Sequence, residues 1–530
     1  MKILGIQTGH DPSVSLFDNG KLIFYNEERK VIQEKHYNFF PFNSLLNSLN
    51  YFNKELDFCF LSSYNFVKEE LQFLKSYLKH LNIKVINEPH SLHASHHLTH
   101  AFKSFVDSKF KSARVFVVDN RGSDWFLENK ASTHETCSVY DLSYEDSKCI
   151  YKKLYTHDIH NEKYAPDLTY HPDTNKGHVV KQPLTITDET VFDVSHYLDL
   201  GLFYSKVSQH YGFENEEGKF MGFQSYGTSE PIPEEFTGKE VLSLDTQSKD
   251  QASSCQELFE QKYKNLVHKY KHPNMVFTGG TALNVVNNYK LHKAFPECNL
   301  WFDPLCGDGG NSIGIVYAIN VLAKQKIHPL ENIYIGNRIN SLDYSFKDNE
   351  YLKEVSLNEV VELLTQGNVV GLIQGKAEAG PRALGNRSLL LDPTLKNAKD
   401  IMNDIKKREH FRPFACSILE EKADTYFDMA GIKSTPLMMH APQARPLAQH
   451  SISSLVHVDN TCRIQTVNRN DNNNLYKILK MFPIPVLMNT SFNLAGYPIV
   501  DSLDDIMNTV RSSSLKYVYF ADFNKLLIKS

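Results

Sequence analysis

The 530-residue chain predicts an α/β protein of more than one domain. Three observations carry that expectation. The chain opens as an apolar strand, a polar loop and a hairpin. Met275 to Thr278 reads as a strand that runs into Gly279-Gly280 and then a helical stretch, an order that brings backbone amides up to an anion. Past residue 345 helical and strand patterns alternate again, now with polar and basic clusters beside the apolar runs. One core does not extend over such a length, so several domains are expected.

In chain order, Ile3 to Gln7 is an apolar run that breaks at Thr8-Gly9-His10-Asp11. Ser13 to Phe17 and Lys21 to Asn26 alternate around Asp18-Asn19-Gly20, and Asn-Gly between alternating runs is a strong hairpin signal. Proteins of the actin and sugar-kinase type open in a similar way. Phe39 to Asn53 and Val67 to Leu81 carry helical spacing. Arg114 to Val118 is a buried-strand run ending in Asp119. Ser143 to Thr187 is polar and weakly periodic, which predicts a long loop or insertion. Val194 to Tyr211 reads as helix, and Ser229 to Ser248, with its prolines and acids, as a surface excursion. Gln256 to Tyr270 is a helix, and a second begins near Leu283. Asn299 to Phe302 is a strand, and Gly307 to Ser312 opens another helix. A composition shift at Asn337 to Asp348 marks the domain boundary. It gives domains 1–345 and 346–530, the second starting with a helix (Leu357 to Thr365) and a strand (Val369 to Ile373). No internal sequence repeat is found.

Hydrophobic content of 41% and charged content of 22% are those of an ordinary folded protein. The net charge of −5 gives no global basic field, although a local basic groove stays open. The eight cysteines are scattered without a C-x-x-C pair, which reads as reduced thiols in a cytoplasmic protein. No signal-peptide pattern and no membrane-spanning run is present.

The densest histidine cluster is His93 to His100. On a helix, His96 with His100, or His93 with His97, share a face, and either pair has metal-ligand spacing. Asp119 at a strand end and Asp308 between glycines add carboxylates. Two imidazoles and two carboxylates suit iron, manganese, magnesium or zinc. His10 and Asp11 fit a general base or a group that orients an acceptor, and equally plain turn residues. Glu28-Arg29 reads as an exposed ion pair of little energetic weight.

Three later clusters predict one pocket for phosphate oxygens. They are Gly375 to Arg387 (with Lys376, Arg382 and Arg387), Lys406 to Phe414 (with Lys406, Arg408 and Arg412) and Asn489 to Asn493 (with Asn489 and Ser491). Arg463 adds another base. Arginine forks and lysine point charges neutralise such oxygens. A solvated basic surface is the plainer alternative, but Pro, Gly and Phe are interleaved with the charges. Neither a Walker-type G-x-x-x-x-G-K-[ST] nor a G-x-G-x-x-G is present.

His10-Asp11, Glu28-Arg29, His96-His97-x-x-His100, Glu217-Gly218-Lys219-x-Met221-Gly222, Gly279 to Asn284, Asp308-x-Gly310, Gly380 to Ser388, Arg412-Pro413-Phe414 and Asn489 to Asn493 follow in that order. The set resembles the O-carbamoyltransferase family of nodulation protein NodU and of the tobramycin and cephamycin carbamoyltransferases. The resemblance implies an N-terminal actin/hexokinase-like two-lobed domain and a C-terminal YrdC-like α/β domain. It implies that the C-terminal domain makes carbamoyl-adenylate from carbamoyl phosphate and ATP. The N-terminal domain then passes the carbamoyl group to an acceptor hydroxyl. Carried over by motif, Lys406, Arg412, Arg463, Asn489 and Ser491 bind carbamoyl phosphate and ATP. Read from their own clusters, Lys376, Arg382, Arg387 and the Gly279 and Gly280 amides are also assigned to cofactor binding. His96, His100, Asp119 and Asp308 hold a divalent metal, with Fe2+ the first choice and Mn2+, Mg2+ or Zn2+ as alternatives. Mg2+ accompanies ATP, and His10 lies near the acceptor. The acceptor is a sugar or natural product, or hydroxymethylated cytosine in phage DNA. Nucleic acid therefore stays among the partners, with a homodimer as an assembly option and no membrane partner. A threonylcarbamoyl-type tRNA modification enzyme is the alternative. Asn120, Cys416 and Asn460 depart from the family pattern, with Asn460 standing where relatives carry Gly.

Overall fold

The computed structural model describes all residues except 63–66, 88–89, 92–95, 123, 127–131, 146–147, 161–190, 196–197, 233–237 and 324. The architecture is mixed α/β, built on three large sheets. In the first, Lys2–Gln7 lies between an antiparallel partner, Ser13–Asp18, and a parallel one, Phe58–Ser62. Lys21–Glu27 extends the antiparallel side and His90–Ser91 the parallel side. The second sheet repeats this order. Ser112–Val118 is flanked by antiparallel Ser132–Glu145 and parallel Asn274–Thr278, with Lys148–His160 and Asn299–Phe302 outside them. The first two sheets thus share one order of strand directions, although no sequence repeat announces it. A shared pattern of strand directions needs only compatible apolar patterning, so it requires no likeness in residue identity.

The helix that follows each sheet's strands leans on the other sheet. His96–Ser108 packs on Ser112–Val118 and Asn274–Thr278, whereas Asn311–Leu322 packs on Lys2–Gln7 and Phe58–Ser62. The two helices also pack on each other. Residues His96 to Asp107 are therefore all buried, and the backbones approach so closely that a Cβ on Gly314 would sit 2.4 Å from the Thr99 carbonyl oxygen. This crossing brings the start of both helices to the carboxyl ends of the central strands.

The third sheet uses only strands between 350 and 529. At its centre Val370–Ile373, Arg387–Leu391, Val486–Ser491 and Ala415–Leu419 lie side by side. Their runs are buried on both faces, as expected of strands between apolar layers. Helix Leu357–Thr365 begins with a capping box between Ser356 and Glu359.

Several sequence expectations need correction. Within the stretch read as loop, 143–145 and 148–160 are strand. Both belong to the long hairpin of Ser132–Glu145 and Lys148–His160. Its charges misled because Glu135 and Lys153 are fully buried as an ion pair, so polar residues here do not mark solvent. The remainder of that stretch, 161–190, lies outside the described residues. Val194 belongs to strand Val191–Ser195, and the helix starts only at Leu200, after Asp199 in extended conformation. Phe39 to Asn53 is divided by Pro41 into strand Asn38–Phe39 and helix Phe42–Ser48. The helix expected from Gln256 starts earlier, at Lys249, because Ser248 caps it by accepting from the Gln251 amide.

Gly314→Ala is expected to destabilise the protein by about 1–3 kcal/mol, as overpacking does. Urea denaturation checks this, and an unchanged midpoint would contradict the close helix crossing.

Candidate functional site

Two sites take shape, one where the first two sheets meet and one between them and the third. At the first, His96 and His100 lie one turn apart at the start of their helix. Their Nε2 atoms are 3.0 Å apart and face Asp308 Oδ1 at 3.1 and 3.3 Å. Asp119 Oδ2 stands 3.4 Å from His100 Nε2 and 3.9 Å from His96 Nε2. All four side chains are buried, and their ligand atoms lie within 4.8 Å of one another. One ion with bonds of about 2.0–2.2 Å can bridge that span. The donor chemistry also fits, since two buried imidazole nitrogens pointing at one spot beside a carboxylate oxygen without a hydrogen bond, Asp119 Oδ2, suit a cation. His97 turns away and meets Ser138 Oγ at 2.8 Å. His93 lies outside the described residues.

The local chain explains the placement. Asp119 ends strand Ser112–Val118, and its Oδ1 accepts from the Asn120 and Gly280 amides at 2.8 and 3.3 Å. Gly279 has φ +81°, and a Cβ there would meet the Val118 carbonyl at 2.3 Å, so only glycine fits this turn. The Gly280 amide is thus spent on Asp119. Asp308 and Gly309 precede helix Asn311–Leu322, and the Gly309 carbonyl is held by Ser13 Oγ at 2.7 Å and Tyr25 OH at 2.9 Å. Burial pushes the Asp308 carboxyl up to about 7. Burial would raise Asp119 as well, but His100 and His96 hold it well below the usual carboxylate range.

His10 lies at the rim, its Nδ1 3.7 Å from Asp11 Oδ2 and 3.9 Å from Asp308 Oδ2. Its side chain is 47% exposed, the only open one among these groups. Burial works to lower its pKa, yet Asp11 and Asp308 raise it on balance. Asp11 has φ +49° and is gripped by Arg29 at 2.9 Å.

The second site is a cleft lined by Gly218, Met221 and Gly222 from the first unit and by Arg382, Arg408, Arg412, Arg463, Asn489 and Ser491 from the second. Lys406 is buried beside it, donating to Asn493 Oδ1 at 2.8 Å and to the Asn493 carbonyl at 2.9 Å. Burial lowers the Lys406 amine well below its ordinary value, and Arg408 and Arg412 add to this. Arg463 is lowered by burial, with Arg382 and Arg408 contributing. Burial lowers Arg382 to about 10. The Nε atoms of Arg382 and Arg463 are buried without a hydrogen-bond partner. Carboxylates near the cleft are few: Asp459 lines it, and Glu409 contacts Arg412 at 3.6 Å.

The structure therefore brings Lys406, Arg382, Arg412, Arg463, Asn489 and Ser491 together. It does not bring Lys376 or Arg387 there. Lys376 is exposed. Arg387 is fully buried and gives its guanidinium to the carbonyls of Gln374, Asn386 and Asn337. Glu28-Arg29 is neither exposed nor a pair. Glu28 is fully buried and takes the Asn43 and Ser44 amides at 2.9 and 2.7 Å, at the start of helix Phe42–Ser48, where a carboxylate is favoured. Arg29 instead bridges Asp11 and Glu27. Glu27, Lys30 and Asn311, whose Nδ2 lies 3.1 Å from His100 Nε2, were not singled out from sequence. For Asn311 the three-residue spacing from Asp308 was the available signal. Asn460 has φ +64°, a left-handed conformation that asparagine adopts readily, so glycine's role there is met.

Residues 361–526 match the family model described as carbamoyltransferase C-terminus. The chain is 30% identical to nodulation protein NolO of Bradyrhizobium diazoefficiens over 60% of this chain and 67% of that protein. It is 26% identical to nodulation protein NolNO of Sinorhizobium fredii over 96% of this chain and 77% of that one. An uncharacterized protein of Methanocaldococcus jannaschii is 28% identical over 99% of this chain and 98% of its own length. Among solved structures, HypF of T. kodakarensis overlaps 61% of this chain and 48% of its own, at 14% identity and a TM-score of 0.37. The chain belongs to the carbamoyltransferase family of the nodulation protein U type. It is a carbamoyltransferase. Among the described residues, no helix is long and apolar enough to cross a membrane.

Arg463→Ala is expected to weaken binding of inorganic triphosphate, a probe for the cation cleft, roughly ten- to a hundred-fold, the cost of about 1.5–3 kcal/mol for a lost bond to a charged group. Isothermal titration calorimetry measures it, and unchanged affinity would remove Arg463 from the cleft's function.

Proposed function

We propose that this protein is an ATP-dependent O-carbamoyltransferase that works through carbamoyl-adenylate, with residues 346–530 as a YrdC-like activating domain and 1–345 as an actin/hexokinase-like transfer domain. The observation that carries this reading is the cation cleft. Five basic side chains share one buried region, and two of their Nε atoms lack partners. Polyphosphate oxygens supply the missing acceptors and charge.

In the first half-reaction, water cleaves the mixed-anhydride bond of carbamoyl phosphate to give carbamate and inorganic phosphate. A carbamate oxygen attacks the α-phosphorus of ATP and pyrophosphate leaves. Lys406, Arg412 and Arg463 offset the negative charge that gathers there, and Asn489 and Ser491 offer hydrogen bonds. In the second, an acceptor hydroxyl oxygen attacks the carbamoyl carbon and AMP leaves with the bond's electron pair. His10, the exposed base at the rim, receives the hydroxyl proton, and Asp11 orients it. His96, His100, Asp119 and Asp308 would hold a divalent ion, Fe2+ in the first instance, which would supply positive charge for the adenylate phosphate. Carbamates are poor electrophiles, and adenylation gives the carbonyl a good leaving group. Sugars and other hydroxyl-bearing small molecules are the acceptors this reading favours, with hydroxymethylated cytosine in DNA as a further class.

Purified protein given ATP and labelled carbamoyl phosphate is expected to release pyrophosphate, and Lys406→Ala or Arg412→Ala to lose that release at least a hundred-fold. Unaltered release in both variants would contradict the assignment. His96→Ala is expected to lose bound divalent metal, read by atomic emission, while pyrophosphate release continues. Full metal content in that variant would take His96 out of the ligand set.

A further inference from the structure

Between the two sites lies a buried charged junction that neither half-reaction uses. Glu27 ends strand Lys21–Glu27, and only 1% of its side chain is exposed. Its two oxygens have separate partners. Oε1 accepts from the Gly380 amide at 2.7 Å and from Lys30 Nζ at 2.8 Å. Oε2 accepts from Arg29 at 2.7 and 3.0 Å. Lys30 Nζ in turn donates to the carbonyls of Glu378 and Gly380 at 2.8 and 2.9 Å. Gly380 is thus held at both its N–H and its carbonyl by one carboxylate–ammonium pair from the first unit.

What each arm reaches gives the junction its meaning. Gly380 leads through Pro381 into Arg382, which lines the cation cleft and donates to the Leu283 carbonyl at 3.0 Å. Gly380 has φ +80°, and a Cβ would lie 3.0 Å from the Pro304 carbonyl, so the turn has one tight seat. On the other arm, Arg29 reaches from Glu27 to Asp11 Oδ1, beside His10 at the rim of the metal group. Burial would raise Glu27, but Lys30 and Arg29 hold it at about 2, so the junction is charged throughout the working pH range. A buried charge this fully answered is costly to break, because removing one partner leaves the other charge buried and unanswered. A plain docking contact between units is served by apolar packing, and the same interface has it in Leu305, Ala379 and Leu384.

We propose that Glu27 is a positioning residue that ties the seat of Arg382 in the activating cleft to the seat of His10 and Asp11 in the transfer site, so that the activated carbamoyl group passes between them without escape. The inference rests on the carbamoyl-adenylate reading. Glu27→Gln is the informative change because it keeps the shape and one acceptor for the Gly380 amide but removes the charge shared with Arg29 and Lys30.

The experiment is a single turnover with protein and ATP in excess over limiting carbamoyl phosphate labelled on carbon, without acceptor. Pyrophosphate is followed by rapid quench, and the labelled carbamoyl group is divided by rapid filtration into protein-held and free fractions. Wild-type protein is expected to keep most of the label. Glu27→Gln is expected to form pyrophosphate within threefold of the wild-type rate, yet to place at least three times as much label in the filtrate. Glu27→Asp, which keeps the charge, restores part of the retention, and Arg29→Gln leaks in the same way from the other arm. A merely structural role would lower pyrophosphate formation and leave the divided label unaltered. That outcome overturns the proposal, as does wild-type protein that retains no label. Absence of pyrophosphate from wild-type protein is the distinct failure of the adenylate reading, and the inference falls with it.

Discussion

Positive charge held where little negative charge answers it is the constraint around which this molecule is arranged. Two unit charges 4 Å apart near a protein surface repel by about 4 kcal/mol. Lys406, Arg382, Arg408, Arg412 and Arg463 are nevertheless gathered at one cleft. Such crowding persists only if the surrounding fold imposes it. Arg408 lies over the Phe414 ring at 3.9 Å and is tied to Asn403 and the Pro413 carbonyl. Lys406 is locked to Asn493. The third sheet supplies the rigidity, because Asn489 and Ser491 end a central strand whose neighbours are buried on both faces.

The other half of the molecule solves a complementary problem. Two sheets of like strand order exchange their terminal helices, and the crossing places His96, His100, Asp119 and Asp308 from three separate segments around one point. Here it is two carboxylates that stand close to two imidazole nitrogens, a donor set that suits a cation. One chain thus offers an anion seat and a cation seat, bridged by the Glu27, Arg29 and Lys30 junction.

How much of this was legible in the sequence follows from how local each signal is. The Asn19-Gly20 hairpin, the strand into Gly279-Gly280, and helix Leu357–Thr365 depend on neighbours in the chain, and their patterns were readable. His96 and His100 share a helix face, so their spacing was visible, but choosing them over His93 and His97 needed the family motif. Lys153 and Glu135 were unreadable as core residues because each is buried only by virtue of the other. Arg387 looked like a ligand-binding arginine, whereas its guanidinium serves carbonyls brought near by folding. Glu27 and Lys30 escaped notice for the same reason, since the Gly380 and Glu378 backbone groups that they hold lie some 350 residues away. The shared sheet order left no trace in residue identity, because strand pairing constrains pattern more than sequence.

A crystal structure of the protein with a non-hydrolysable ATP analogue and carbamoyl phosphate tests the central claim most directly. The account predicts triphosphate density against Arg412, Arg463, Asn489 and Ser491, with Lys406 turned from Asn493 toward a phosphate oxygen. Triphosphate bound instead between the first two sheets, with the cleft at Arg463 holding only solvent, would contradict it.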